Sequence, residues 1–161
     1  MSIVSTDLKL YQSSNGGLGG SITAVEVVDG DLHNLFDKVT SDESAIGDTE
    51  YRCAYIKNEH GTITLEDAVS YIASNTASLT TDISIGFGTS IVGGIEQVIA
   101  SEDIAPIGIS WKNQSGVGNA ITLGNIPPSS HKAIWFRRIV DAGTLASPAD
   151  GITLTTRGST V

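Results

Sequence analysis

The groups in this chain able to do chemistry are its carboxylates, three histidines, one thiol and a few arginines, and their spacing limits what that chemistry can be. Asp29-Gly30-Asp31 and Asp42-Glu43 set acids close together. A helix-loop-helix calcium site needs a central glycine and a closing glutamate; Leu32-His33-Asn34 does not supply the glycine, and no glutamate closes the loop. These acids read as solvated turns. His33, His60 and His131 are well separated and lack a metal-ligand spacing such as H-E-x-x-H. Cys53 alternates with Tyr51 and Tyr55 along one face of a predicted strand, which suits a buried structural thiol. It is the only cysteine, so an intrachain disulfide is excluded.

Glycine-rich segments offer no more. Gly16-Gly17-Leu18-Gly19-Gly20 does not lie between a strand and a helix, where a phosphate-binding loop must sit. Gly86-Phe87-Gly88 falls in or beside a strand, where glycine marks a bulge or a close backbone approach. There is no G-x-S-x-G elbow and no P-loop. The expectation is a protein without catalytic residues, metal or cofactor.

The arginines are more informative. Tyr51–Asn58 and His131–Val140 hold five of the nine cationic side chains, among them Arg52, Arg137 and Arg138. Both stretches read as strands with apolar residues on both faces, Trp135 among them. Such a strand needs a second covering surface, and the expected source is another protein chain. Arg137 and Arg138 point to opposite faces. One reading is a solvated strand end; the other is that their planar guanidiniums pair bidentately with carboxylates, for which the acidic stretch 29–50 of a neighbouring copy is a suitable counterpart.

The elements that must position these residues are strands. Leu8–Gln12, Ile22–Val28, Tyr51–Asn58, Asp82–Phe87, Ile95–Ala100, Ile107–Trp111, Ile121–Leu123, Lys132–Val140 and Gly151–Thr156 carry strand patterns separated by glycine, proline and asparagine turns. Residues 64–73 read as a turn leading into a further strand, and 31–46 as a short strand or a single helical turn. Eight or nine short strands predict an all-β antiparallel sandwich of jelly-roll type. Residues 1–20 form an expected N-terminal arm, with a strand at Leu8–Gln12 and a glycine-rich hinge, and 21–161 a single domain. That arm is either a mobile terminal segment or one that reaches a neighbouring subunit and adds a strand there, with Leu8, Leu10 and Tyr11 as its contacts.

Length and charge set outer bounds. A chain of 161 residues is long enough for one core without metals or disulfides. Net charge is −9, and the first fifty residues hold nine acids against two bases. That field repels nucleic acid and anionic lipid. No apolar run approaches the roughly 18 residues of a membrane span, and the opening residues lack the basic start and apolar stretch of a signal peptide. Neither nucleic acid nor membrane is an expected partner.

Three stretches together carry a resemblance. Gly47-Asp48-Thr49-Glu50-Tyr51-Arg52-Cys53-Ala54-Tyr55-Ile56-Lys57-Asn58, then Glu96-Gln97-Val98-Ile99-Ala100, then the run from Leu123-Gly124-Asn125-Ile126-Pro127-Pro128 to Lys132-Ala133-Ile134-Trp135-Phe136-Arg137-Arg138 resemble a family of tailed-bacteriophage virion structural proteins of the capsid decoration (cement) type. The similarity covers about residues 30–157. It implies a β-sandwich made in the host bacterial cytoplasm and carried on the virion. The implied protein is a homo-oligomer, a trimer, that binds the major capsid protein or other virion proteins and stabilises the head. Leu8, Leu10, Tyr11, Arg52, Trp135, Arg137 and Arg138 are the candidate interface residues. The alternatives are a tail, neck or baseplate component, or a carbohydrate- or receptor-binding sandwich module.

Overall fold

A computed structural model describes residues 2–145 and 150–160. Met1 of the expected arm, and 146–149 and Val161 of the expected domain, lie outside the described residues. Ten strands follow in order: β1 (Leu8–Ser13), β2 (Gly19–Gly20), β3 (Ile22–Glu26), β4 (Asp48–Asn58), β5 (Leu65–Ser74), β6 (Thr81–Phe87), β7 (Glu96–Val98), β8 (Ile121–Ile126), β9 (His131–Val140) and β10 (Thr153–Ser159). The six-residue helix Ser41–Ile46 starts with a capping box. The Glu43 amide donates to Thr40 Oγ1 and the Thr40 amide to Glu43 Oε2, at 3.3 and 2.5 Å.

The fold is all-β and sandwich-like. Five antiparallel strands in the order β3-β1-β4-β9-β6 form the larger sheet, three in the order β10-β5-β8 the smaller, and β2 pairs with β7. β4 and β9 run in register over ten residue pairs, from Asp48↔Val140 to Lys57↔His131. Alternation along this pair creates two cores. Ala54, Ile56, Ile134 and Phe136 face the smaller sheet and meet Leu65, Ile72, Ile121 and Ile126. Cys53, Tyr55, Ala133 and Trp135 face the other way and meet Ile99, Leu18, Ile109 and Trp111.

The second core corrects the expectation that another chain must cover these strands. Loop residues following β6 fold back over the larger sheet and cover its outer face. Ile85 and Lys112 exchange backbone hydrogen bonds of 2.8 Å in each direction. The expected strand Ile107–Trp111 is therefore a loop of this layer. Its approach explains the glycines around Phe87. A Cβ on Gly86 would overlap Ile109 Cγ2 and lie 2.9 Å from the Ser110 carbonyl oxygen, and one on Gly88 would overlap Glu96 Oε2.

The N-terminal segment is also not a free arm. β1 pairs with β4 from Leu8↔Asn58 to Gln12↔Ala54 and with β3 on its other edge, so it is an inner strand of its own chain's sheet. The glycine tract is not a hinge. Gly17, Gly19 and Gly20 are buried, and Gly19 has φ 96° with the Gln97 carbonyl where a Cβ would stand. Only glycine permits both that conformation and that contact.

Candidate functional site

The β4–β9 register brings the expected arginines to three different surroundings. On the inner face Glu50 stands opposite Arg138, and Arg52 is two residues further along β4. Arg138 Nε donates to Glu50 Oε2 at 2.5 Å, and its Nη1 donates to the Asp37 carbonyl oxygen at 2.7 Å. Arg52 Nη2 pairs closely with Glu102 and lies 3.6 Å from Asp37 Oδ1 and 4.0 Å from Glu50 Oε1. Phe36 lies within cation–π reach of both guanidiniums, whose carbons are 5.8 and 4.9 Å from its ring centroid. The carboxylates of Asp37, Glu50 and Glu102 approach one another closely, and Arg52 Nη2 contacts all three. The guanidinium thus holds the position a metal ion would take.

Glu50 is only 1% exposed and its Oε1 accepts no hydrogen bond. Burial pushes its pKa up to about 7 against the opposing pull of Arg138, with Asp37 raising it further. Two guanidiniums facing Asp37 and Glu102 are already charge-balanced, which leaves room for Glu50 to be neutral.

On the outer face Arg137 is half-buried. Its Nη2 donates to Ser84 Oγ at 3.0 Å, and its guanidinium lies over Trp111 at 5.1 Å from the ring centroid. Trp135 is fully buried beneath the covering layer. Cys53 is equally buried, and burial raises its thiol well above the usual range. This agrees with the expected structural thiol. Tyr55 donates its hydroxyl to the Gly20 carbonyl and accepts from the Glu96 amide at 3.0 Å. Burial pushes it up to about 12.

None of the expected contact residues forms a shared exposed surface. Arg138 pairs within the chain, correcting its expected partner carboxylates: Glu50 and Asp37, both from the predicted acidic stretch, belong to the same molecule, while Arg52 pairs with Glu102 and Arg137 bonds Ser84. Leu8 and Leu10 face the sandwich interior, half-buried against the first core. Tyr11 lies on the outer face and donates to Glu59 Oε1 at 2.8 Å.

Six of the fourteen exposed large apolar side chains among the described residues lie at the end of β6 and on the covering layer that follows it; the other eight, Leu79 and Leu145 among them, are scattered elsewhere. Phe87, Ile91, Ile95, Val98, Ile104 and Ile107 all face solvent, and Ile91 and Ile107 are 80% and 82% exposed. Polar anchors hold this layer. Glu96 accepts from the Ser90 amide, the Thr89 hydroxyl and the Gln97 amide. Burial alone would raise the Glu96 carboxyl, but these donors hold it below its ordinary value. The Gln97 side chain bonds both the N–H and the C=O of Ile107, each at 2.8 Å. Sequence reading placed Phe87, Ile95, Val98 and Ile107 in expected strands and missed this surface, because local alternation does not say which apolar side chains stay uncovered.

A second feature follows from strand number. Three strands lie over five, and an open cavity of about 1140 Å³ remains between the sheets. Leu8, Leu10, Val27, Phe136, Ile152 and Leu154 are among the residues lining it.

No family model, no curated protein and no solved structure matches this chain.

Proposed function

We propose that this chain is a structural protein of a tailed-phage particle, a capsid decoration protein that binds the outer surface of the head as an oligomer and stabilises it through protein–protein contacts. The observation that carries the reading is the covering layer. It presents six large apolar side chains to solvent on a backbone pinned by Glu96 and Gln97. Exposed apolar surface of this kind marks an interaction site, and a pre-ordered surface loses less entropy on binding than a mobile one. The phage-family resemblance supports the same reading. Its first and last stretches include β4 and β9, the paired centre of the larger sheet. Those residues then act as the framework that carries the contact layer, and the contacts themselves lie on the loops.

The test is location and copy number. An antibody against the purified chain, applied to intact phage particles, is expected to label the head as a regular lattice, with hundreds of copies by gel densitometry. Labelling confined to the tail, with a handful of copies, would replace decoration by a tail or baseplate role. Glycan-array binding without incorporation into particles would favour the recognition module.

A further inference from the structure

The cavity between the sheets runs beside β10, the edge strand of the smaller sheet. Within the sandwich β8 packs over β6 and β9, so β5 and β10 follow across the larger sheet toward β4 and β1. The next position, beyond β10, lies toward β1 and the chain leaving β3; no strand of the smaller sheet occupies it, and the loop of residues 27–41 forms its facing wall. That is where the cavity has its apolar floor, Leu8 and Leu10 of β1 and Val27 just after β3, with Ile152 and Leu154 at its side. These leucines and Ile152 are only half-buried, though all pack on the first core.

The strand bordering this gap has an open edge. β10 bonds only to β5, and among the described residues no loop backbone bonds to its other side. An unpaired edge beside an uncovered apolar floor is a template for strand addition. The rim adds a charge preference. Asp29 and Asp31 line the cavity beside Lys38, Asp37 and Arg138 line it as an already paired set, and Asp42 and Glu43 follow in the adjoining helix.

We propose that β10 and this cavity accept an extended strand from a partner protein, with apolar residues at every second position and Lys or Arg where it leaves the sandwich. The partner backbone would pair with β10 as a fourth strand of the smaller sheet. Its inward side chains would fill the space above Leu8 and Leu10, and its basic end would face residues 29–43. The chain is then the acceptor of a strand and not the donor of an arm. The inference rests on the proposed function only in requiring a partner chain.

A tethered strand tests it without knowing the partner. Three fusions place a seven-residue segment after Val161 on a flexible Gly/Ser linker, which gives the segment a local concentration in the millimolar range. The first alternates valine and threonine and ends in two lysines. The second replaces each threonine by proline, removing backbone donors. The third ends in two glutamates. The lysine-ended fusion is expected to raise the melting temperature by about 5 °C over the proline control, and to slow amide exchange across 153–156 at least tenfold. The glutamate-ended fusion should give less than half that shift. A lysine-ended fusion no more stable than the proline control, or stabilised without protection of β10, overturns the acceptor site. Equal stabilisation by lysine and glutamate ends overturns the basic partner. Particle labelling is read independently, so a head protein whose fusion gains nothing keeps its assigned function and loses this mode of contact.

Discussion

Arg138 and Glu50, 88 residues apart in sequence, face each other directly across the β4–β9 ladder, and the guanidinium Nε donates to the buried carboxylate at 2.5 Å. Arg52, Asp37 and Glu102 complete the charge balance around this pair.

The pair should be sensitive to loss of one member. Arg138→Met leaves Glu50 buried with only Arg52 nearby, and at pH 8, where Glu50 is ionised, is expected to lower stability by about 3–5 kcal/mol. Arg138→Met combined with Glu50→Met removes both charges and should recover more than half of that. Urea denaturation of the wild type, the two single variants and the double variant measures the coupling directly.

Glu50 also sets a pH dependence. Its folded pKa, about 7, lies above the ordinary 4.5, so the folded state binds its proton more tightly than the unfolded chain. The associated stability is full below pH 4.5 and is lost as pH rises through 7. Thermal melts between pH 5 and 8 should show a declining melting temperature, and Glu50→Gln should flatten the curve. An equally steep decline in Glu50→Gln would assign the effect elsewhere.

Gly86 is where the covering layer touches β6 most closely. Gly86→Ala forces Ile109 and the Ser110 carbonyl away, and should destabilise the fold by roughly 1–3 kcal/mol through overpacking. Trp111 belongs to the same layer and Trp135 lies under it. A red shift in tryptophan emission under native conditions is the expected signature.

The exposed isoleucines should matter for assembly and not for folding. Ile91→Ser and Ile107→Ser are expected to change stability by no more than about 0.5 kcal/mol. If the layer is the contact surface, the double variant will weaken co-sedimentation with particles at least tenfold. Unchanged co-sedimentation would remove the layer from the interface.

Cys53 should be chemically silent in the folded protein. It is fully buried with a raised thiol pKa, so a thiol reagent at pH 8 should react only as fast as the chain opens, and immediately in denaturant. A fast reaction without denaturant would contradict the second core as described.

Much of the framework was legible in the residues themselves. Alternation marked β1, β4, β6 and β9 nearly to their ends, and apolar residues on both faces of β4 and β9 correctly required two covering surfaces. Local signals misled where glycine was concerned. The tract before β3 reads as flexible by composition, yet its residues are pressed against Gln97 and Val98. Its glycines serve close packing, which composition does not distinguish from freedom.

What the sequence determined by itself is what a single strand's pleat dictates: which residues alternate, which faces are apolar, and that Arg137 and Arg138 diverge. Only the tertiary structure decided what meets those faces. It closed the outer face with loop residues following β6, joined Arg52 and Arg138 to acids of their own chain, and left three strands over five. The physical reason is range. Side-chain alternation follows from backbone geometry within a few residues, whereas the partner of each face depends on closing loops tens of residues long, for which local pattern carries no register.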